Sequence, residues 1–345
     1  PGERVLSFSL EPKPQEHELR NNTQLRTVRV SAARASVLYV EGEPRWEYKF
    51  MRRALEQDPG VRLVSLLRTT LNGYYRQGID DPAELQGGFP DDRATLYRYD
   101  ALIIGSMPAA WFKPEQLQMI RDFVSERGGS LLMLAGPHGL GDGGWGNTVV
   151  GQILPAELLA NSFHRVRVPV LPTARGRLDP MLQFADDPTT NDKLWSELPP
   201  LADYQDLGPP RLAATSLLDI RVGEKQQPLL VSEPYGRGHS LILATGGTWR
   251  WRMGLPATDT RHQQFWRQLM RGLVINVPPQ FDLSARSAGA AIAIRADLRD
   301  AQFRPLTDAA ITATVTSPQE SSTLTLQPVA DQPGIYAAEY RPAHS

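Results

Sequence analysis

The sequence predicts an α/β protein: a mostly parallel sheet with helices on both faces, flanked by β-sandwich segments at either end. Three observations carry this expectation. Residues 99–145 read strand, helix, strand and glycine-rich turn, the repeating unit of a parallel sheet. The strands of that unit are short and apolar throughout, as strands buried on both faces must be. Beyond Phe281 the pattern changes to short runs that alternate apolar with polar residues between Pro, Asp and Ser clusters, the signature of an all-β segment.

Composition bounds the function classes. At 345 residues the chain can bury a sizeable core and hold more than one domain. Its 37 Lys and Arg nearly balance 38 Asp and Glu, so at a net charge of -1 no long-range field draws nucleic acid or an anionic membrane. Lysine stands only at positions 13, 49, 113, 193 and 225, an arginine bias that fits a GC-rich bacterial genome. Cysteine is absent, which excludes disulfides, thiolate metal sites and a cysteine nucleophile while leaving the compartment open. No run approaches a membrane span of 18 or more apolar residues, and no signal peptide is visible. The opening Pro-Gly-Glu, without methionine, suggests a processed product or an excised piece.

Taken in order, Arg4–Leu10 and Gln24–Val30 are expected strands flanking the polar connection Glu11–Asn22; two strands alone are marginal in water, so they need a partner sheet. Ser36–Val40 is the first α/β strand and runs into Glu41-Gly42-Glu43-Pro44. Trp46–Gln57 follows as a helix burying Phe50, Met51, Ala54 and Leu55, and Val61–Leu67 is the second strand. Residues 68–98 read as a polar surface excursion with at most one short helix. In the central unit, Ala101–Gly105 is a strand, and Pro114 suits the first helical residue because its missing N–H has no partner there anyway. Leu117, Met119, Ile120, Phe123 and Val124 give the helix one wide apolar face, Gly128-Gly129 stops it, and Ser130–Ala135 is the next strand. Thr148–Leu159 suggests a short helix broken by Pro155, and residues 161–226 should wrap the sheet edge and supply β-strands. Pro228–Glu233 and His239–Thr245, joined by Gly236-Arg237-Gly238, read as a β-hairpin. Thr260–Val274 is the last helix, buried through Phe265, Trp266, Leu269, Met270 and Leu273, and Asn276-Val277-Pro278-Pro279 marks a boundary. Strands are then expected at Ala290–Asp297, Ile311–Thr316, Thr323–Leu326 and Gly334–Tyr340.

Two resemblances extend this reading. The pattern G-E-R-V-L-S-F-S-L, then Glu16, Glu18, Asn21-Asn22 and T-V-R-V, resembles the last strands of bacterial adhesion-type immunoglobulin-like domains, and residues after Phe281 resemble a partial immunoglobulin-like sandwich. The run Y-D-A-L-I-I-G-S-M-P, the later G-G-S-L-L-M-L-A-G-P, and Q-P-L-L-V-S-E-P-Y-G-R-G-H-S-L-I-L-A-T-G-G-T-W-R-W-R resemble the class I glutamine amidotransferase-like fold. More narrowly they resemble the amidotransferase-like domains of large bacterial membrane proteins that also carry von Willebrand A and immunoglobulin-like modules. The resemblance implies a flavodoxin-like sheet and three units: 1–34, the end of a β-sandwich; 35–277, the amidotransferase-like α/β domain; and 278–345, an immunoglobulin-like β domain that is either truncated or borrows strands from residues 1–33.

Class I amidotransferases place a cysteine on a strained elbow after this strand and a His-x-Glu pair after a later one. Backbone N–H groups there lower the thiol pKa and hold the oxyanion. By the same resemblance the elbow falls near Gly136, between Ala135 and Pro137, and the pair near Thr245-Gly246-Gly247; neither position carries the group. The residues left as candidates cluster at the strand ends, where open α/β sheets place their sites. His138 with Asp142 four positions on could serve as acid and base or ligate a metal, or His138 could be a loop histidine bonded to backbone. Ser106 is not in a G-x-S-x-G elbow. Gly139–Gly144 has neither the Walker lysine nor the dinucleotide spacing, and the six histidines show no zinc spacing, so neither a cofactor nor a metal is expected. Glu41, Glu43 and Arg45 should form a wet rim of the crevice. Trp249, Arg250, Trp251 and Arg252 either stack on a sugar or protein, or pack the tryptophans under the last helix with the arginines solvated.

Three functions follow. The first is a non-catalytic, extracytoplasmic interaction or scaffold module whose partners are proteins or other domains of its own polypeptide, with no nucleic acid and no membrane span in this chain. The second is an enzyme of altered, hydrolase-like chemistry using His138 and Asp142. The third is small-ligand, sugar-type binding in the strand-end crevice, with Glu41, Glu43, Ser106, Gly136, His138, Trp249 and Arg250 lining it and Trp249 and Trp251 as stacking surfaces.

Overall fold

The computed structural model describes residues 2–342 apart from 12, 14–21, 31–33, 57, 71–72, 289–290 and 317–320. Glu16, Glu18, Asn21, Gln57 and Ala290, invoked above, lie outside the described residues.

The chain opens with an antiparallel pair, β1 (Gly2–Ser9) and β2 (Thr23–Val30). The main sheet starts with β3 (Ala35–Glu41), helix α1 (Trp46–Leu55) and β4 (Val61–Arg68), β3 and β4 pairing in parallel. The expected surface excursion instead carries an edge strand, β5 (Tyr74–Gln77), antiparallel to β4, before the short helix α2 (Arg93–Leu96). It is also anchored, not loose: Leu85, Phe89, Leu96 and Tyr97 are buried, and Arg62 on β4 reaches Glu84 at 3.1 Å.

The central unit has the expected form: β6 (Ala101–Ile104), α3 (Pro114–Ser125) and β7 (Ser130–Leu134). Both strands are buried along their whole length, which is why their sequences lack alternation. Pro114 is the first residue of α3, and the Gln116 side chain accepts from the Lys113 N–H at 3.0 Å.

Between Thr148 and Leu159 the expected helix is not present. Single 3-10 turns occupy Trp145–Asn147 and Gly151–Ile153, and β8 (Ala156–His164) starts directly after Pro155. Cross-chain pairing overrides helical propensity here: Ala156 and Leu158 sit opposite Pro210 and Leu207 of β10 (Tyr204–Pro210). The proline-rich stretch between these strands holds β9 (Val170–Pro172) and α4 (Pro188–Ser196), an unanticipated helix capped by Asp187. The sheet then gains β11 (Thr215–Val222), β12 (Lys225–Tyr235) and β13 (Gly238–Leu243). The last two form the expected hairpin, with Gly236 at φ 58° in its turn. Strand β13 also lies parallel to β7, with Leu243 beside Leu134.

The result is one nine-stranded sheet in the order β5-β4-β3-β6-β7-β13-β12-β11-β9. Its five inner strands, β4 to β13, run parallel, and antiparallel strands extend both edges. Helices α5 (Trp249–Gly254) and α6 (Arg261–Val274) follow β13 and pack with α1. Phe265, Trp266, Leu269, Met270 and Leu273 of α6 are all buried, as their spacing requires.

The C-terminal region contains a strand the alternation did not reveal, β14 (Phe281–Ala288), then β15 (Ala291–Leu298), β16 (Ile311–Thr316), β17 (Ser321–Pro328) and β18 (Ile335–Tyr340). They form one antiparallel sheet ordered β14-β15-β18-β17-β16 over its own small core of Ile294, Ala296, Leu326 and Tyr336. Buried Arg127 joins this region to the α/β unit. It donates to Tyr97 O, Pro278 O and Asp100, and its guanidinium lies 4.2 Å from the Phe303 ring. No helix among the described residues is long and apolar enough to cross a membrane.

Candidate functional site

The carboxyl ends of β3, β7 and β13 converge on one arginine. Arg45 ends the turn after β3 and folds back over it, donating through Nε and Nη2 to Glu41 at 3.0 and 2.7 Å. Its Nη1 donates to the carbonyl of Ala135, at the end of β7, at 2.7 Å. Glu41 is fully buried and also accepts from the Tyr39 hydroxyl and from Gly42 N at 2.9 Å. Glu41 and Arg45 are therefore not the wet rim expected of them but a buried ion pair. Burial alone would lower the Arg45 pKa; the adjacent Glu41 carboxylate outweighs it and holds the guanidinium charged. Burial, reinforced by Glu41, pushes the Tyr39 phenol well above its ordinary value.

Arg45 fills the space beside two glycines. A Cβ on Gly136 would lie 2.4 Å from Ser106 Cβ and 2.8 Å from Arg45 Nη1, and one on Gly246 would lie 2.5 Å from the same nitrogen. The turn after β7 is also closed on itself. His138 N donates to Ser106 Oγ at 3.1 Å, Gly139 N to Gly136 O at 3.0 Å, and buried Trp145 donates Nε1–H to Met107 O at 2.8 Å.

Beside this closed turn a cleft of about 530 Å³ opens, lined among others by Glu43, Trp46, Phe163, Arg165, Asp203 and Trp249. Asp203 is fixed at its back, accepting from Gly246 N at 2.8 Å and Thr245 Oγ1 at 3.1 Å. Burial raises the Asp203 pKa, and these donors work against the rise. Beneath Trp249, buried Glu47 accepts from the Thr248 hydroxyl and, at 3.0 Å, from Trp249 N. Thr248 in turn accepts from Trp266 Nε1 at 3.0 Å and lies 3.4 Å from His262 Nε2. Buried His262 Nδ1 has no hydrogen-bond partner among the described residues. Burial pushes Glu47 up to about 7, and burial with the charge of Arg252 pushes His262 down to about 3.

The residues singled out from sequence thus divide. Glu43 and Trp249 line the cleft, while Glu41, Ser106 and Gly136 are buried in the closed turn that borders it. His138 has an exposed side chain and is not in the cleft lining. The Asp142 carboxylate takes the N–H groups of Ser162 and Phe163 at 3.2 and 3.0 Å and the Gln205 amide at 3.2 Å. No hydrogen bond or ion pair joins His138 to Asp142 among the described residues. Arg250 donates to Pro200 O at 3.0 Å. Trp251 is no stacking surface: it is 1% exposed and packs on Phe265 at 5.2 Å. Phe163, Arg165 and Asp203 lie in or beside the stretch that was expected to wrap the sheet edge and supply strands, and the long-range pairing of β8 with β10 brings the residues near 164 and 204 together. Among the described residues no group of three or more His, Asp and Glu side chains could hold a metal ion.

Comparison with known proteins agrees with this architecture. The chain is similar to two solved structures from Salmonella typhimurium, the cytoplasmic proteins STM1381 (strain LT2) and STM3548. The first shares 20% identity at a TM-score of 0.50, covering 69% of this chain and 99% of that one. The second shares 18% identity at a TM-score of 0.50, covering 69% and 98%. At these identities the likeness bears on the fold alone. No curated protein matches the chain. The family described as "Putative glutamine amidotransferase" matches residues 66–275, more than half the chain, with β3 and most of β4 preceding the match, and the chain belongs to that amidotransferase-like family.

Proposed function

We propose that this chain is a non-catalytic amidotransferase-like domain, acting as an interaction or scaffold module on the extracytoplasmic side of a membrane-anchored bacterial protein. One observation carries the reading. At Gly136, where the resemblance puts a nucleophilic thiol, Arg45 and Ser106 leave no room even for a Cβ, and the chain has no cysteine. The tied-down Asp142 gives no support to altered chemistry with His138.

The finer fold reading accompanies it. The inner order β4-β3-β6-β7-β13 supports a flavodoxin-like sheet with helices on both faces. Exposed Val5, Phe8 and Leu25 on the β1–β2 pair, and the separate five-stranded C-terminal sheet, support immunoglobulin-like flanks at 1–34 and 278–345 around an α/β unit at 35–277.

Two measurements test the proposal. Incubated with glutamine, the chain should release no glutamate above a protein-free blank, and sustained release would end the non-catalytic reading. Alkaline phosphatase, which folds to an active enzyme only outside the cytoplasm, should be active when fused after this domain in its host protein. A fusion that is made but inactive would move the module inside.

A further inference from the structure

We propose that the strand-end cleft binds a neutral, pyranose-containing glycan. This deepens the function proposed above by giving the non-catalytic cleft a ligand, and it rests on that reading. The cleft, at about 530 Å³, falls in the range of small-molecule sites. Its walls are aromatic: Trp249 and Phe163 are half-buried, and Trp46, 51% exposed, has Lys49 Nζ 4.8 Å from its ring centroid. Indole faces are electron-rich and flat, so they accept the polarised C–H face of a sugar ring.

The polar groups select against a charged ligand. Glu43 and Asp203 face the cleft with Lys49 and Arg165, two of each sign, and the charge of Arg45 is taken up by Glu41. An anion would meet two carboxylates and a cation two basic groups, whereas paired hydroxyls find acceptors and donors together. Two carboxylates offer acceptors. Glu43 lines the cleft with no hydrogen bond to its carboxylate among the described residues, and Asp203 uses Oδ1 for Gly246 and Thr245, leaving Oδ2 without a protein partner among the described residues. A ligand hydroxyl can donate to a carboxylate, a charge-assisted hydrogen bond stronger than a neutral one.

The test titrates the full chain with cellotriose, N-acetylchitotriose and maltotriose, read by tryptophan fluorescence and saturation-transfer NMR, with trigalacturonate as the charged contrast. At least one neutral trisaccharide should bind saturably. Its affinity should fall about tenfold or more in Trp249→Ala and in Glu43→Gln, each still folded by circular dichroism. Trp249→Phe keeps a flat ring and should retain most of the binding, which separates stacking from a packing defect. Absence of saturable binding by all three sugars, stronger binding of trigalacturonate, or affinity unchanged in both weakening variants would overturn the proposal. Glutamate release measured in the same preparations reads the non-catalytic assignment separately.

Discussion

Two neighbouring places at the carboxyl edge of the sheet have opposite characters. The turn after β7 is shut: Gly136 lies against Ser106 and Arg45, and the turn's backbone and Trp145 are bonded inward. The cleft beside it is open, lined by Trp46 and Trp249 and by the carboxylates of Glu43 and Asp203. Arg45 belongs to both, closing the first and flooring the second. The closure is electrostatic, not apolar. A buried ion pair is a poor source of stability compared with hydrophobic residues of the same volume. What it gives here is position, since one guanidinium fork ties the end of β3 to the end of β7 and packs against the turn after β13.

That contrast breaks most sharply at the ion pair. Arg45→Met removes the cation and leaves Glu41, fully buried, with only Tyr39 and Gly42 as donors. Removing one partner of such a pair should cost about 3–5 kcal/mol in urea unfolding. The double variant Glu41→Leu/Arg45→Met, with no stranded charge, should recover most of that loss. A single variant costing less than about 1 kcal/mol would mean that the pair is not what holds the turn shut.

The pH dependence of stability sharpens the comparison on the open side, through the layer beneath Trp249. Glu47, with a folded pKa of about 7, binds its proton more tightly folded than unfolded. Its contribution is fully present below the ordinary carboxylate pKa and is lost as pH rises through about 7, a loss of about 3 kcal/mol. His262, held down at about 3, acts in the opposite sense, its contribution being present above the ordinary imidazole pKa and lost as pH falls toward 3. The two oppose each other in mildly acidic solution. Glu47→Gln removes the first alone, so the variant should gain on the parent as pH rises from about 5 to about 8 in paired urea titrations. A difference that stays constant across that window would show that Glu47 does not titrate there.

Much of the fold was legible because burial writes itself into spacing. The all-apolar strands β6 and β7 and the stripe on α6 could be read directly, as could the stop at Gly128 and the hairpin at Gly236. The failures share a cause. Edge strand β5 (Tyr-Tyr-Arg-Gln) and strand β14 carry no fully buried residue, so neither leaves a clean period. Strand β8 exists because β10 pairs with it some 40 residues on, information absent from its own residues. The cleft lies at the strand ends where a site was expected, and of the residues singled out Glu43 and Trp249 line it. Arg45 looked like a rim charge because its partner Ala135 lies 90 residues away, and Asp203 sat in a proline-rich stretch with no pattern to raise it.

The smallest effect belongs to the residue that looked most reactive. His138 stands in the glycine-rich turn, but only its backbone N–H is used there, and its side chain is exposed. His138→Ala should therefore change stability by no more than about 0.5 kcal/mol. It should also leave trisaccharide affinity at the parent value, because the ring is absent from the cleft lining. Asp142 differs in kind: it clamps the N–H groups of Ser162 and Phe163, and Phe163 is a cleft wall. An unchanged His138→Ala together with a weakened Asp142→Ala would mean that the two act separately, the aspartate shaping the cleft from behind. Equal and non-additive losses in the two single variants and their double would instead show a coupled pair, and the altered-chemistry reading would then regain its case.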